Sequence, residues 1–133
     1  MSQENVESFR QSLDAFNRRD RPAWLATMHP EAELVPAKEW PENTPISGAR
    51  AIWDFYLEVT AASEDGSFEL AEIVDSSTGK IVANNRLETR GKTSGAGAEF
   101  SYWLVGTFCD GRATRIEWFA QRDKALEPAG LSE

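Results

Sequence analysis

The apolar pattern of this chain changes period part-way along, and that change restricts the folds open to it. Up to Thr60 the apolar side chains recur at helical spacing; from Phe68 onward they alternate, as in strands. Helices first and a run of antiparallel strands afterwards is the α+β arrangement, in which helices gather on one face of a sheet.

Residues 3–19 predict the first helix. Val6, Phe9, Leu13 and Phe16 form its apolar stripe, and Ser2 and Glu4 suit its start. Residues 22–28 predict a short second helix with Pro22 at its first position. Met28-His29-Pro30 should end it, because the residue before a proline disfavours helix. Ala32 to Val35 predicts a short strand, and Pro36, Pro41 and Pro45 mark a loop that carries Trp40. Ser47-Gly48 opens a third helix with Ile52, Phe55, Tyr56 and Val59 on its apolar face, closed by Ser63 to Gly66. Strands are predicted at 68–74, 80–90, 99–108 and 113–120. Turns fall at 76–79, 92–97 and the tight pair Asp110-Gly111. A short helix over 122–128 closes the chain.

Side chains on a strand alternate between its faces. In the second strand of the meander, Ile81, Ala83, Asn85, Leu87 and Thr89 form the inner set, with Asn85 at its middle. An amide there is costly unless it is hydrogen-bonded. It is either a ligand-facing group or an amide satisfied by backbone or by a buried water. In the last strand Ile116, Trp118 and Ala120 are inner. The third strand is apolar on both faces: Trp103 and Val105 on one, Phe100, Tyr102, Leu104 and Phe108 on the other. Trp103 is assigned to the inner face. A strand apolar on both sides is covered on both sides. The helices supply one cover; the expected second cover is another copy of the chain, making a homodimer through the outer sheet face.

Composition excludes several classes. A chain of 133 residues is sized for one domain, taken here as 1–133. A net charge of -8 argues against nucleic acid and against an anionic membrane surface, both of which need clustered Lys and Arg. No apolar run is long enough to span a bilayer, and the acidic N-terminus does not resemble a signal peptide. The single cysteine, Cys109, rules out an internal disulfide and suits a cytoplasmic location. One His and one Cys with no carboxylate cluster give no metal site, and no cofactor is implied.

Two stretches carry a family resemblance. One is Ala15-Phe16-Asn17-Arg18-Arg19-Asp20 followed by Pro22-Ala23-Trp24-Leu25. The other is Asp110-Gly111-Arg112 between strands, followed by Asp123-Lys124-Ala125-Leu126-Glu127-Pro128-Ala129-Gly130-Leu131. Together they resemble the SnoaL-like branch of the nuclear-transport-factor-2-like superfamily. The resemblance implies a cone-shaped α+β barrel, a curved and mostly antiparallel sheet wrapped around three N-terminal helices. Between them lies a pocket used by ketosteroid isomerases, polyketide cyclases and epoxide hydrolases.

The catalytic positions of those enzymes do not carry over. The isomerase base position falls on Val35, its tyrosine on Ser12 and its oxyanion-stabilising acid on Trp103. The cyclase acid/base falls on Trp118, with Glu117 on the opposite face, and the cyclase histidine falls near Trp103 and Leu104. The only histidine, His29, sits in the predicted turn after the second helix. The resemblance therefore implies a pocket lined by Phe16, Phe55, Asn85, Trp103 and Trp118, with Ser12 and Val35 near its base. The leading expectation is binding of a small, mostly apolar, possibly ring-bearing molecule. One alternative is a cofactor-free isomerase, cyclase or hydrolase with Glu33 as acid/base, since Glu33 shares parity with Val35. Another is a structural or partner-binding module whose hollow is filled by its own aromatics.

Overall fold

The computed structural model describes residues 2–38, 44–60, 67–75, 79–90 and 97–127. Helix α1 spans Ser2–Asn17 and α2 spans Arg21–Leu25. Strand β1 covers Met28–Val35 and the two-residue β2 covers Ile46–Ser47. Helix α3 is Ala49–Thr60. The meander follows as β3 Ser67–Asp75, β4 Lys80–Arg90, β5 Gly97–Cys109 and β6 Arg112–Phe119, and α4 closes the described chain at Arg122–Leu126.

The expected α+β order holds, and the meander strands fall within two residues of their predicted bounds. The first strand differs: α2 stops at Leu25 and β1 starts at Met28, so His29 and Pro30 belong to the strand. Asp20 explains the start of α2, since its side chain accepts the Ala23 N–H at 3.2 Å and caps the helix. The register of β1 against β6 shifts between Met28 and Glu33, and Pro30 falls within that irregular stretch. Trp40, the predicted helix end at 63–66 and all but the last residue of the predicted turns at 76–79 and 92–97 lie outside the described residues.

The six strands form one open sheet in the order β2-β1-β6-β5-β4-β3. It does not close into a barrel. Every pairing is antiparallel except β1 with β6. Register shifts in β1/β6, β3/β4 and β5/β6 bend the sheet toward the helices. The β5–β6 hairpin turns on Asp110 (φ 52) and Gly111 (φ 77), the paired positive φ of a tight two-residue turn.

Helix α1 crosses the concave face and is latched at two points. Near its middle the Ser8 hydroxyl donates to the Gly111 carbonyl at 2.6 Å. At its end the Asn17 amide donates to the Phe68 carbonyl at 2.8 Å and accepts the Phe68 N–H at 2.9 Å. The main core lies beneath, built from Phe9, Phe16, Trp24, Ile52, Trp53 and Trp118 among others. A second apolar cluster occupies the opposite face of the sheet. There Ala125 and Leu126 of α4 cover Val82 and Val105, with Trp103 and Phe119 alongside. Part of the second cover over β5 is thus supplied within the chain, by α4. Among the described residues, no helix is long and apolar enough to cross a membrane.

Candidate functional site

The concave face holds one enclosed chamber beneath α1. Phe9, Ser12, Leu13 and Phe16 descend from α1 at helical spacing, Trp24 and Tyr56 come from α2 and α3, and Asn85, Tyr102, Leu104 and Gly106 rise from the sheet. The centre of a water molecule can range over only about 20 Å³ inside it. Roughly 10–15 Å³ is enough for one water, so the chamber as it stands takes little more.

Aromatic rings account for the small volume. Phe16 meets Trp53, Tyr56 and Phe68 at centroid distances of 5.2, 5.5 and 5.4 Å. Tyr102 packs on Trp118 at 4.4 Å, and Trp118 lies 5.5 Å from Phe55. Edge-to-face and offset contacts of this kind contribute about 0.5–1.5 kcal/mol each beyond area burial.

Asn85 is the polar centre of this apolar space. It is fully buried, and its Nδ2 donates to the Tyr102 hydroxyl at 3.2 Å. Its Oδ1 has no hydrogen-bond partner among the described residues. Buried side-chain oxygens are seldom left so, because the desolvation cost is about 1–3 kcal/mol. Burial pushes the Tyr102 phenol well above the ordinary tyrosine range; nearby Tyr56 adds to the rise and the Asn85 bond opposes it. Tyr56 is likewise raised by burial, opposed by a bond with Trp118. Both phenols therefore remain protonated and neutral.

Several expected site residues are brought together. Ser12, Phe16 and Asn85 line the chamber, and the Ser12 hydroxyl turns back to the Phe9 carbonyl at 2.6 Å. Phe55 and Trp118 are buried and 5.5 Å apart but do not line the chamber; Trp118 instead lines a surface groove with Val35.

Three expected residues lie elsewhere. Trp103 is on the opposite face with Val82 and Val105. The tight turn at Asp110-Gly111 alone would set Trp103 opposite Trp118, but the register slips by one residue at Thr114. Trp118 then pairs with Leu104, and Trp103 with Phe119. A one-residue slip exchanges the faces of a strand. The inner residue is consequently Tyr102, directly opposite Asn85 on β4. Val35 lines a surface groove with Pro36, Lys38 and Glu117, because Ala32 and Leu34 are the buried parity of β1. Glu33 takes the outer parity too and pairs with Arg115 at a half-exposed position. It is not desolvated among aromatics, so the premise for an acid/base role there fails. His29 is exposed on β1, its Nδ1 accepting the Glu31 N–H. No group of three or more metal-ligating side chains occurs among the described residues.

An open, bent sheet with α1, α2 and α3 on its concave face is the α+β fold that this chain shares with solved NTF2-like and SnoaL-like structures. A SnoaL-like domain model matches residues 9–116, and the chain belongs to that family. No curated protein matches the chain. Among solved structures, it is similar to Bal32a from a soil-derived mobile gene cassette, with a TM-score of 0.78, 16% identity, and 96% of this chain and 97% of that one covered. It is similar to TerC co-crystallized with polyporic acid (TM-score 0.73, 22% identity, coverage 95% and 97%). It is also similar to RV0760c from Mycobacterium tuberculosis in complex with estradiol-17beta-hemisuccinate (TM-score 0.72, 18% identity, coverage 92% and 96%). At these identities the likeness establishes the fold.

Proposed function

We propose that this domain binds a small, uncharged, largely apolar molecule in the chamber beneath α1. The observation that carries the reading is the Asn85 Oδ1, a fully buried acceptor without a partner among the described residues, set in an apolar wall. Binding pockets are mainly apolar with a few convergent polar groups. Two neighbours of the same fold carry ring-bearing molecules in their crystals, polyporic acid in one and an estradiol derivative in the other. With Glu33 on the outer face, the proposal assigns no reaction and no catalytic residue.

A second reading has an observation of its own. The water-sized chamber suits a structural or partner-binding module whose hollow its own rings have filled. A cytoplasmic location and assembly as a homodimer belong to the proposal as well.

Native mass spectrometry of the purified protein, followed by ligand screening, separates the readings. Retained extra mass, or saturable binding of a neutral aromatic that Asn85→Leu weakens, supports the ligand reading. No binding across such a panel, with Asn85→Leu as stable as the parent or more so, favours the filled core. The same spectra give the subunit count.

A further inference from the structure

We infer that the Phe108 ring is the plug of this chamber, and that it sets the length of a neutral, hydrogen-bond-donating ligand. The inference rests on the ligand reading above. Asn85 and Tyr102 mark one part of the chamber floor. Four residues along β4, Ile81 pairs with Gly106, about 13 Å away at strand spacing. Gly106 leaves an inward gap, and the Phe108 ring leans into it. A Cβ built on Gly106 would lie 3.0 Å from Phe108 Cε1 and 3.4 Å from Ile81 Cγ1. Phe108 lines the chamber yet is only half-buried, so its ring spans from the interior to the surface. It also stands where the β5–β6 register shifts, between Thr107 and Phe108.

Rotation of that ring outward joins the Gly106 gap to the space near Asn85 and opens both to solvent. The occupant's chemistry follows from the walls. None of the lining side chains is charged, so a carboxylate or ammonium would be buried without a counter-charge. Asn85 already donates through Nδ2 to Tyr102, which leaves its Oδ1 to accept. A rigid two-ring phenol is a minimal match in length and in donor.

The test uses 4-phenylphenol and biphenyl, titrated calorimetrically against the whole protein. Phe108→Ala should bind 4-phenylphenol at least about ten-fold more tightly than the parent. It should prefer 4-phenylphenol to biphenyl by about ten-fold, the value of one hydrogen bond. Asn85→Leu in the Phe108→Ala background should erase that preference. Phe108→Leu shortens the plug without emptying the site and should move affinity the same way, which keeps the test open if Phe108→Ala folds poorly. Folded variants that bind no better than the parent overturn the plug, and equal binding of the two compounds overturns the donor requirement. If the variants bind and the parent binds nothing, the plug stands while the ligand reading falls. If the parent binds and the variants gain nothing, the ligand reading stands and the plug falls.

Discussion

Asn17→Ala removes a two-point latch whose size can be worked from the structure. The Asn17 amide satisfies both backbone groups of Phe68, at 2.8 and 2.9 Å, on the edge strand β3. It thereby stands in for the neighbouring strand that an edge lacks. Each lost bond is worth about 0.5–1.5 kcal/mol, and more if water cannot replace it. Phe68 itself is buried, but Asn17 is exposed, so water can re-solvate part of the loss. Alanine regains roughly half a kcal/mol of helix propensity at the end of α1. The net expectation is a loss of about 0.5–2.5 kcal/mol, or a fall in Tm of roughly 2–10 °C for a domain of this size. Urea unfolding followed by tryptophan fluorescence gives the first figure, and calorimetry the second. Arg18→Ala is the control one residue on. Its ion pair with Asp14 is exposed, with side-chain exposures of 58% and 69%, and should contribute about 0.5 kcal/mol or less. An Asn17→Ala protein within 0.5 kcal/mol or so of its parent, or no more affected than the Arg18 control, would refute the latch.

Three further outcomes are expected. Tyr56 and Tyr102 are the chain's two tyrosines, and burial raises both above the ordinary value. A raised folded pKa means stability holds below the unfolded value of about 10 and declines as pH rises beyond it, because the unfolded chain ionises first. Absorbance at 295 nm should therefore show tyrosinate only as the protein unfolds; tyrosinate at pH 10.5 in a folded sample, to the extent of about half a tyrosine or more, would contradict the burial of these rings. Leu126→Asp places a charge against Val82 and Val105 and should destabilise by about 3 kcal/mol or more, with dye binding to the uncovered sheet face. Unchanged urea midpoints would show that α4 does not cover that face. Glu33→Gln should change stability by about 1 kcal/mol or less, since its pair with Arg115 is half-exposed; a larger loss would mean the pair is shielded from water.

Much of this architecture was legible because alternation survives where one face is buried. Ile81, Ala83 and Asn85 on β4, and Ile116 and Trp118 on β6, occupy the expected face. The stripe Val6, Phe9, Leu13, Phe16 likewise faces the core. Legibility ended where both parities were apolar. On β5, Tyr102 and Leu104 compete with Trp103 and Val105, and the choice depends on register, which a bulge reset. A tight turn signals where a hairpin begins but carries no sign of a bulge further along its strands. On β1, Ala32 and Leu34 compete with Val35 over too few residues to decide, and Glu33 went with the wrong set. Tyr102 was missed for the same reason. Its signal was the even-numbered length of the predicted turn at 92–97, which sets odd residues of β4 opposite even residues of β5. The small volume of the chamber has no local sequence signature, since ring volume counts only once the rings are placed.

Helix α4 gives the sheet a cover of its own on the face away from the chamber. It is five residues long, far below the length at which a helix persists alone in water, so docking rather than propensity holds it. Its apolar grip is Ala125 and Leu126, set against Val82 and Val105, and Arg122 adds a contact over the Trp103 ring at 5.6 Å and an ion pair with Glu72 at 3.7 Å. The elements on the concave side share one continuous core, whereas α4 belongs to a small satellite cluster. The two faces of one sheet are thus packed separately, so a substitution in α4 should weaken the cover over Val82 and Val105 before it reaches the chamber.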